Sequence, residues 1–254
     1  MQGDSRYQVP NLERALVIME HLLDYPDGLT LAELTAALDV PKNSVFRITN
    51  TLLARGYLNR DASAKRFSLS RKLLIMGQMS LADKPLVPTA IDVMQECRDE
   101  VQETVLIGTL VEGEFVVMEQ VLGSHPFKFS IDLGVRLSLH VSAPGKAMLA
   151  FLPEREIEKT IKGYRFVRYN EQTITSKRAL MDELRGIREC GFGLDRGEQL
   201  HGIHCVSAPI FSRHKRPVAA IWITGPADRV PNEAFPNLGR TMRSYADRIS
   251  ERLI

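Results

Sequence analysis

Two helix starts that lie eleven residues apart constrain the fold of this chain more than any other feature of its sequence. Thr30 and Glu33 have the spacing of a capping box, in which each side chain bonds a backbone N–H at the start of a helix. The second start is at Pro41, because proline at the first position of a helix loses no hydrogen bond. Two short helices joined by a tight turn predict a helix–turn–helix.

The neighbouring segments add a helix before this pair and a hairpin after it. Apolar residues at helical spacing over residues 12–23 predict the first helix, which ends before the turn YPDG. The third helix is expected to run to about Arg55, with short strands at Tyr57–Asn59 and Arg66–Leu69. This order of elements predicts a winged helix–turn–helix over residues 1–70.

The third helix has two different faces on a helical wheel. Its buried face is expected to hold Val45, Ile48, Thr49 and Leu52. Its outer face presents Asn43, Arg47, Asn50 and Ala54. Arginine can bond guanine through two donors, and asparagine can bond adenine in the same way. The outer face therefore predicts a helix that reads base edges in duplex DNA.

Charge is distributed unevenly along the chain, although the net charge is only +2. Residues 1–41 carry −5 and residues 42–72 carry +7, whereas the rest of the chain is neutral. A basic segment of this kind is typical of a surface that binds a polyanion, although a solvated basic face gives the same pattern. We expect seven residues to contact double-stranded DNA: Lys42, Asn43, Ser44, Arg47, Asn50, Lys65 and Arg66.

The remaining sequence predicts a linker helix over residues 71–86 and a second domain over residues 87–254. Strands are expected at 104–111, 114–122, 125–131, 191–195, 205–211 and 217–225. Helices are expected at 143–152, 154–162, 176–189 and 232–253, with Ser142 capping the first of these. Strand pairs with helices between them predict an α+β or mixed α/β domain on a largely antiparallel sheet.

The sequence also indicates where the protein is found. No apolar run reaches the length of about 20 residues that a membrane-spanning helix needs, and the first residues form no apolar signal segment. The cysteines Cys97, Cys190 and Cys205 are odd in number and widely spaced, which suits reduced thiols. We therefore expect a cytoplasmic protein with no membrane partner.

Sequence motifs for catalysis and cofactor binding do not occur in complete form. The segment APGKA lacks the first glycine and the hydroxyl residue of a phosphate-binding loop, and no G-x-S-x-G motif is present. His201, His204 and Cys205 are potential zinc ligands without an evident fourth ligand. We expect no catalytic residue, metal or cofactor.

Two alternatives to a DNA-binding regulator stay open at this point. One is an enzyme that acts on a small acid, with its chemistry on Asp195, His204 and Cys205 and with the basic head as an accessory. The other is an architectural DNA-binding protein that uses its C-terminal half only to oligomerise.

Three segments together resemble the isocitrate-lyase-regulator (IclR) family of bacterial transcription factors. They are residues 9–60 with ERAL and RGYL, LSLHVSAPGKAMLA at 137–150, and the run from CGFGLDRGEQ to PADRV at 190–230. The resemblance implies an N-terminal winged helix–turn–helix joined by a helical linker to a GAF-like effector-binding domain. It also implies a homodimer or a dimer of dimers on a palindromic operator, and repression controlled by a small organic or aromatic acid.

The resemblance also implies the positions of an effector pocket. Carried over by position, the pocket residues are His140, Ala143, Pro144, Asp195, Cys205, Trp222 and Thr224. Relatives that bind very small keto acids tend to have a small hydroxyl residue where this chain has Trp222. The indole ring either narrows the cavity, stacks on a flat ligand or faces the core on the other side of its strand. Pro144 removes an N–H donor from the helix start, which also argues against a glyoxylate-like effector.

Overall fold

The computed structural model describes residues 9–38, 40–61, 63–73, 76 and 85–253. The chain divides into two compact units, Met1–Ser80 and Leu81–Ile254. Most of the linker helix predicted over residues 71–86 lies outside the described residues, as does Asp39 in the predicted turn before Pro41.

The described part of the first unit consists of helices packed on a small antiparallel sheet. The helices are α1 (Pro10–His21), which a 3-10 turn at Leu22–Asp24 extends, α2 (Leu31–Ala37) and α3 (Lys42–Ala54). The strands are β1 (Leu29–Thr30), β2 (Leu58–Arg60) and β3 (Arg66–Leu69), in the spatial order β1–β3–β2. The predicted winged helix–turn–helix is confirmed, and β1 is a short strand that the sequence pattern did not predict.

Thr30 and Glu33 form the predicted capping box at the start of α2. Thr30 Oγ1 accepts a hydrogen bond from the backbone N of Glu33 at 3.2 Å, and Thr30 N donates to Glu33 Oε2 at 2.7 Å. Glu33 Oε1 also lies 3.1 Å from Arg66 Nη2 in β3. The hydrogen bonds from Thr30, with Arg66 as a smaller cause, hold the pKa of Glu33 below its usual range. One carboxylate thus joins the start of α2 to the hairpin.

Helix α3 packs by the face that its periodicity predicted. Its buried residues are Val45, Ile48, Thr49 and Leu52. In the α1 segment the buried residues are Ile18 and Leu22, whereas Leu12, Leu16 and Leu23 are exposed. Leu12 and Leu16 lie on a second apolar stripe of α1, and the 3-10 turn rotates Leu23 outward because it has fewer residues per turn.

Residues 85–253 form a domain built on a six-stranded sheet. All neighbouring strands of this sheet are antiparallel. The strands are β4 (Thr104–Val111), β5 (Glu114–Val121), β6 (Arg136–Leu137), β7 (Gly193–Arg196), β8 (Ile203–Phe211) and β9 (Pro217–Pro226). Their spatial order is β6–β5–β4–β9–β8–β7. The helices are α4 (Leu86–Val101), α5 (Ala143–Ala150), α6 (Glu154–Ile161), α7 (Lys177–Cys190) and α8 (Phe235–Leu253), and a 3-10 turn at Asn232–Ala234 precedes α8. The predicted α+β domain on an antiparallel sheet is confirmed.

Helices cover both faces of this sheet. Residues of α4 and α8, among them Met94 and Met242, pack with Ile221 and Ile223 of β9 in one core. Residues of α5, α6 and α7 pack with Trp222 of β9 in the other core. The alternation of side chains along a strand therefore divides β9 between two apolar cores. None of the helices in the described part of the chain has both the length and the apolar character that a bilayer crossing requires.

The strand predicted over residues 125–131 is wrong, because this segment forms no strand. Side chains hold it in place of a backbone ladder. Thr104 Oγ1 donates to the carbonyl of Phe129 at 2.6 Å, and Gln120 Oε1 accepts from Ile131 N at 3.2 Å. The position at the sheet edge is taken by β6, which pairs with β5. Apolar alternation alone does not distinguish a paired strand from an extended segment that side chains hold.

Gly108 in β4 lies at a close approach between neighbouring strands. The register of β4 and β5 shifts between Ile107 and Gly108. A Cβ atom at Gly108 would lie 2.2 Å from the carbonyl oxygen of Val116 and 2.6 Å from the Phe115 ring. We predict that Gly108→Ala lowers the free energy of unfolding by about 1–3 kcal/mol, because backbone and a buried ring must move. Urea unfolding followed by the fluorescence of Trp222, the sole tryptophan, measures this change.

Gly186→Ala is the matched control for this substitution. Gly186 lies inside α7, and a Cβ atom there would meet nothing within 4 Å. Alanine in a helix interior is favoured over glycine by about 0.5–1 kcal/mol, so this variant should unfold at a higher urea concentration. A Gly108→Ala protein as stable as the wild type would contradict the close packing of β4 on β5.

Candidate functional site

The outer side of α3 carries polar side chains with few contacts inside the protein. Five of the residues predicted to contact DNA lie in this helix: Lys42, Asn43, Ser44, Arg47 and Asn50. The Asn50 amide donates to the carbonyl of Phe46 at 2.8 Å, which holds it against the helix. Within the described part of the chain, the exposed side chains of Lys42 and Arg47 have no hydrogen bond or ion pair. Two cations on this side are therefore open to an external anion.

Helix α3 also begins with open backbone donors. Pro41 is at the N-cap position, and no side chain among the described residues caps the helix. The first backbone N–H of α3 that bonds within the chain is that of Ser44, to Pro41 O at 2.8 Å. The preceding N–H groups, those of Lys42 and Asn43, have no partner among the described residues. Such a helix start is a suitable site for a phosphate group.

The tip of the hairpin is shaped by Asp61, which is the one acidic residue between residues 42 and 72. Asp61 Oδ1 accepts hydrogen bonds from the backbone N of Ser63 at 2.8 Å and of Ala64 at 2.6 Å. The Ser63 hydroxyl and these N–H groups hold the pKa of Asp61 below its usual range. Lys65 follows with a left-handed backbone, φ 54°, and an exposed side chain. The turn thus places Lys65 at the tip of the wing.

Arg66 follows Lys65 in the chain but makes contacts inside the unit. Its Nη1 donates to the carbonyl of Gly28 at 2.7 Å, and its Nη2 donates to Glu33 at 3.1 Å. Lys72 is similar, because its Nζ donates to a carbonyl at 2.8 Å and lies 4.3 Å from the ring centroid of Tyr57. The basic segment therefore contains two kinds of cation, those that hold the unit together and those that are open.

A groove of 320 Å³ lies between α3 and the hairpin. Phe46 and Asn50 line it from α3, and Lys65 and Phe67 line it from the hairpin. The Phe46 side chain is 55 % exposed, so the groove has an apolar wall beside a cationic rim. This combination can receive a sugar next to a phosphate.

In the second unit, helix α5 is buried along its whole length. It begins at Ala143, as predicted, and Ser142 Oγ accepts a hydrogen bond from Gly145 N at 3.3 Å as the capping prediction requires. The chain at Gly193 in β7 lies against this first turn, because a Cβ atom there would be 2.7 Å from the carbonyl oxygen of Ala143. Two residues of the predicted effector pocket, Ala143 and Pro144, therefore lie close to β7.

Three other residues of the predicted pocket form a row across neighbouring strands. Asp195 in β7 is opposite Cys205 in β8, and Cys205 is opposite Thr224 in β9. The Cys205 thiol lies 3.3 Å from Thr224 Oγ1. Trp222 is on the same face of β9, since it lies two residues from Thr224, and it packs edge to face on Phe115 with 5.4 Å between the ring centroids. The indole thus faces α5 and not the core under α4 and α8.

Burial changes the pKa values of two residues in this row, Asp195 and Cys205. Burial raises the pKa of Asp195 above its usual range, although Glu198 N donates to its Oδ1 at 2.7 Å. Burial likewise raises the pKa of the Cys205 thiol. A thiol that stays protonated is a poor nucleophile, so this environment does not favour the enzymatic role considered for Cys205.

His140 lies before α5 in a buried cluster with aromatic side chains. Its Nδ1 is 3.0 Å from the hydroxyl of Tyr164, and its Nε2 is 2.9 Å from the carbonyl oxygen of Val167. Because a carbonyl oxygen only accepts, Nε2 carries the proton and Nδ1 accepts from Tyr164. Burial lowers the pKa of His140. Its hydrogen bonds are to the segment 164–167 and not to the row on the sheet.

Lys146 and Glu198 form a buried ion pair that the sequence patterns did not reveal. Lys146 is fully buried in α5, and its Nζ lies 2.5 Å from Glu198 Oε1 and 3.5 Å from Glu183 Oε1. Burial raises the pKa of Glu198 to about 7 against the attraction of Lys146. The available signal was a single charge in an otherwise apolar helix, APGKAMLA.

The zinc ligands considered from the sequence do not come together as a site. Among the described residues, no group of three or more His, Cys, Asp or Glu side chains is arranged to hold a metal ion. His204 Nδ1 lies 2.8 Å from the carbonyl oxygen of Val230, to which it donates. His201 lies in the turn before β8 and is exposed.

A winged helix–turn–helix with an open basic face, followed by a separate α+β domain, defines a class of proteins, the helix–turn–helix transcriptional regulators. The profile of the IclR helix-turn-helix domain matches residues 11–62, and that of the bacterial transcriptional regulator IclR C-terminal domain matches residues 78–251. The chain belongs to the IclR family of bacterial transcriptional regulators and is a DNA-binding regulator.

Similar proteins match this chain over most of their own length. The transcriptional regulator KdgR of Escherichia coli is 28 % identical over 88 % of this chain and 85 % of its own length. The transcriptional repressor IclR of E. coli is 26 % identical over 96 % of this chain and 89 % of its own length. The crystal structure of Thermotoga maritima IclR superposes with a TM-score of 0.71 at 27 % identity and covers 97 % of this chain and 99 % of that chain. Because these relatives are regulators, the enzyme alternative is not retained.

The buried ion pair predicts a specific pattern of stabilities. We predict that Lys146→Met lowers the free energy of unfolding of the second unit by about 3–5 kcal/mol, because Glu198 is left buried without its counter-ion. The double variant Lys146→Met with Glu198→Gln should recover much of this loss, because it buries neither charge. Urea unfolding followed by Trp222 fluorescence measures both values.

Lys177→Met is the matched control, since Lys177 pairs at 3.6 Å with Glu158 on the surface. This change should cost less than about 1 kcal/mol. If the losses of Lys146→Met and Glu198→Gln simply added in the double variant, the two side chains would not be coupled and the assignment of the pair would be wrong.

The neutral state of His140 predicts a dependence of stability on pH. Its pKa in the folded protein is below the ordinary value of 6.5, so below that pH the unfolded chain binds a proton that the folded chain does not. This contribution to stability is fully present above about pH 6.5 and is lost as the pH falls. We predict that acidification from about pH 8 to pH 5 destabilises the wild type more than His140→Gln in urea unfolding. An NMR titration that gave His140 a pKa above 6.5 would contradict this.

Proposed function

We propose that this protein is a sequence-specific repressor whose affinity for its operator is controlled by a small organic or aromatic acid bound in the C-terminal domain. The observation that carries the proposal is the outer side of α3, where Lys42 and Arg47 have no partner within the described residues and where the helix starts with the open backbone N–H groups of Lys42 and Asn43. We assign residues 1–70 to DNA binding, 71–86 to the linker and 87–254 to effector binding.

The base-reading residues in this proposal are Asn43, Arg47 and Asn50. They lie on one side of α3, and at a rise of about 1.5 Å per residue they span about 10 Å of its axis. Base pairs are stacked about 3.4 Å apart, so these side chains match about three successive base pairs. Asn50 would have to exchange its hydrogen bond to Phe46 for a bond to a base.

The remaining residues in the proposed interface contact the DNA backbone. Lys42 and Ser44 bind phosphate at the start of α3, where the backbone N–H groups are open. Lys65 contacts the backbone or the minor groove from the tip of the wing. Arg66 contributes mainly through the position of the wing, because two of its donors are bonded to Gly28 and Glu33.

A palindromic operator follows from two such heads related by twofold symmetry. Each head contacts one half-site, and half-sites are spaced by whole helical turns of about 34 Å. We therefore propose a homodimer or a dimer of dimers as the DNA-binding form.

The proposed effector site consists of His140, Ala143, Pro144, Asp195, Cys205, Trp222 and Thr224. Burial raises the pKa of Asp195, which lowers the cost of protonating this side chain when a ligand carboxylate approaches it. Trp222, held by Phe115, provides an apolar wall. Pro144 at the start of α5 offers no N–H. These features suit an acid with an apolar or aromatic body better than a two-carbon keto acid.

Control by the effector would be a shift between two states of the protein. An effector that binds one state more tightly increases its population, and a typical coupling free energy of about 1–3 kcal/mol changes operator affinity by about 5–150-fold. An architectural protein, in contrast, would bind the same DNA with an affinity that no small acid changes.

We predict that Arg47→Ala removes sequence preference more than general DNA affinity. The wild-type chain is first used to select its preferred site from random duplexes. On that site the variant should bind about 5–150-fold more weakly, the effect of about 1–3 kcal/mol for one arginine–guanine contact, whereas its affinity for random duplex should change little. Fluorescence anisotropy at two salt concentrations measures both affinities.

Arg185→Ala is the control, because Arg185 has the same charge but lies in the second unit and pairs with Asp182. It should bind both duplexes like the wild type. Equal losses of Arg47→Ala on the selected and the random duplex would show that Arg47 contacts only phosphates, and unchanged binding would remove it from the interface.

A further inference from the structure

A polar cavity in the C-terminal unit lies beside the edge strand β7. Its volume is 320 Å³, which is the size of a small ligand site. The polar residues of its lining are Gln172, Glu183, Arg196, Glu198, His204 and Asn232. None of the seven residues proposed for the effector site lines it. The cavity is therefore a separate place in the same domain.

One carboxylate in this lining is only partly bonded. Glu198 is 3 % exposed, and its Oε1 is paired with Lys146, but its Oε2 is buried without a hydrogen-bond partner among the described residues. The backbone of Glu198 is fixed, because its N donates to Asp195 at 2.7 Å and its carbonyl accepts from Thr173 Oγ1 at 2.7 Å. These bonds fix the backbone, and the contact with Lys146 holds the side chain inside the protein. A buried acceptor of this kind is suited to a ligand group.

Arg196 provides a binding group of the opposite charge. Its Nη1 donates to Glu183 Oε1 at 3.3 Å, and its guanidinium carbon lies 6.0 Å from the ring centroid of Phe235. Its Nε and Nη2 have no partner within the described residues. This pair of parallel N–H groups is the edge of a guanidinium that binds a carboxylate through two hydrogen bonds.

The free donor groups around the cavity, and not its net charge, favour an acid over a metal ion. Lys146 balances Glu198, and Arg196 balances Glu183. No set of three metal-binding side chains occurs among the described residues. A carboxylate on Arg196 is therefore better matched than a cation.

A second group of the ligand must form a hydrogen bond with Oε2 of Glu198. Burial raises the pKa of this side chain against the attraction of Lys146, so a ligand group that can bond both its ionised and its neutral form suits it best. A hydroxyl group can donate to the ionised form and accept from the neutral form, whereas an ammonium group can only donate. His204 donates through Nδ1 to Val230, so its Nε2 is an acceptor for a further hydroxyl.

We propose that this cavity binds a small hydroxylated carboxylic acid, with the carboxylate on Arg196 and a hydroxyl on Glu198 Oε2. The ligand would act on the same carboxylate that holds Lys146 of α5, and Glu198 N bonds Asp195 of the effector row. The cavity is thereby connected to the effector site without sharing its residues.

Isothermal titration calorimetry on the full chain tests the proposal. The probes are glycolate, D-glycerate and D-gluconate, each compared with the acid of equal length that lacks the hydroxyls, namely acetate, propionate and hexanoate. At least one hydroxy acid should bind about tenfold or more tightly than its partner, as expected for one hydrogen bond to a charged group. If no hydroxy acid binds better than its partner, the proposal is overturned.

Variants of the chain then locate the site. Arg196→Gln is expected to weaken the binding of the hydroxy acid by about tenfold or more, since it removes the bidentate contact from a half-exposed position that does not endanger folding. Arg185→Gln is the matched control in α7 and should leave the affinity unchanged. A loss of binding in Thr224→Val together with full binding in Arg196→Gln would place the acid at the effector residues and overturn the proposal.

Discussion

The ion pair between Lys146 and Glu198 fixes the arrangement of the C-terminal domain. Because α5 is buried along its whole length, the one charge that it carries must be balanced inside the protein. Glu198 provides that balance from the connection between β7 and β8, and its backbone N bonds Asp195. A buried pair adds little net stability over an apolar pair, but the loss of one partner costs about 3–5 kcal/mol. The pair therefore acts mainly by allowing one position of α5 against β7.

The DNA-binding unit uses charge differently, since its ion pairs lie near the surface. Glu33 joins the start of α2 to Arg66 in the hairpin, but both side chains are more than a third exposed, so solvent screens this pair and it adds little to stability. Its effect is orientation, since it sets where the wing stands relative to α3. Lys42, Arg47 and Lys65 have no such partner within the described residues. Cations without an internal partner are what the proposed phosphate contacts require.

Features that depend on residues close in sequence could be predicted. The capping box of α2, the two faces of α3 and the hairpin of β4 and β5 follow from local spacing, and the structure has all of them. The wrong strand at residues 125–131 depends instead on residues far apart in sequence. A strand needs a partner strand, and local alternation does not reveal whether one is present. Lys146 was overlooked for the same reason, since its burial depends on Glu198, fifty-two residues later. The direction of Trp222 became clear only from the register of β9 with β8.

The same polar groups connect the proposed effector site with the polar cavity beside β7. Asp195 belongs to the effector row and accepts from Glu198 N, while Glu198 lines the cavity and holds Lys146. A ligand in either place thus acts on a single buried network. The free energy that depends on pairing Lys146, about 3–5 kcal/mol, exceeds the coupling of about 1–3 kcal/mol that a typical effector needs. A modest rearrangement of this pair would therefore supply the proposed coupling, without refolding of the domain.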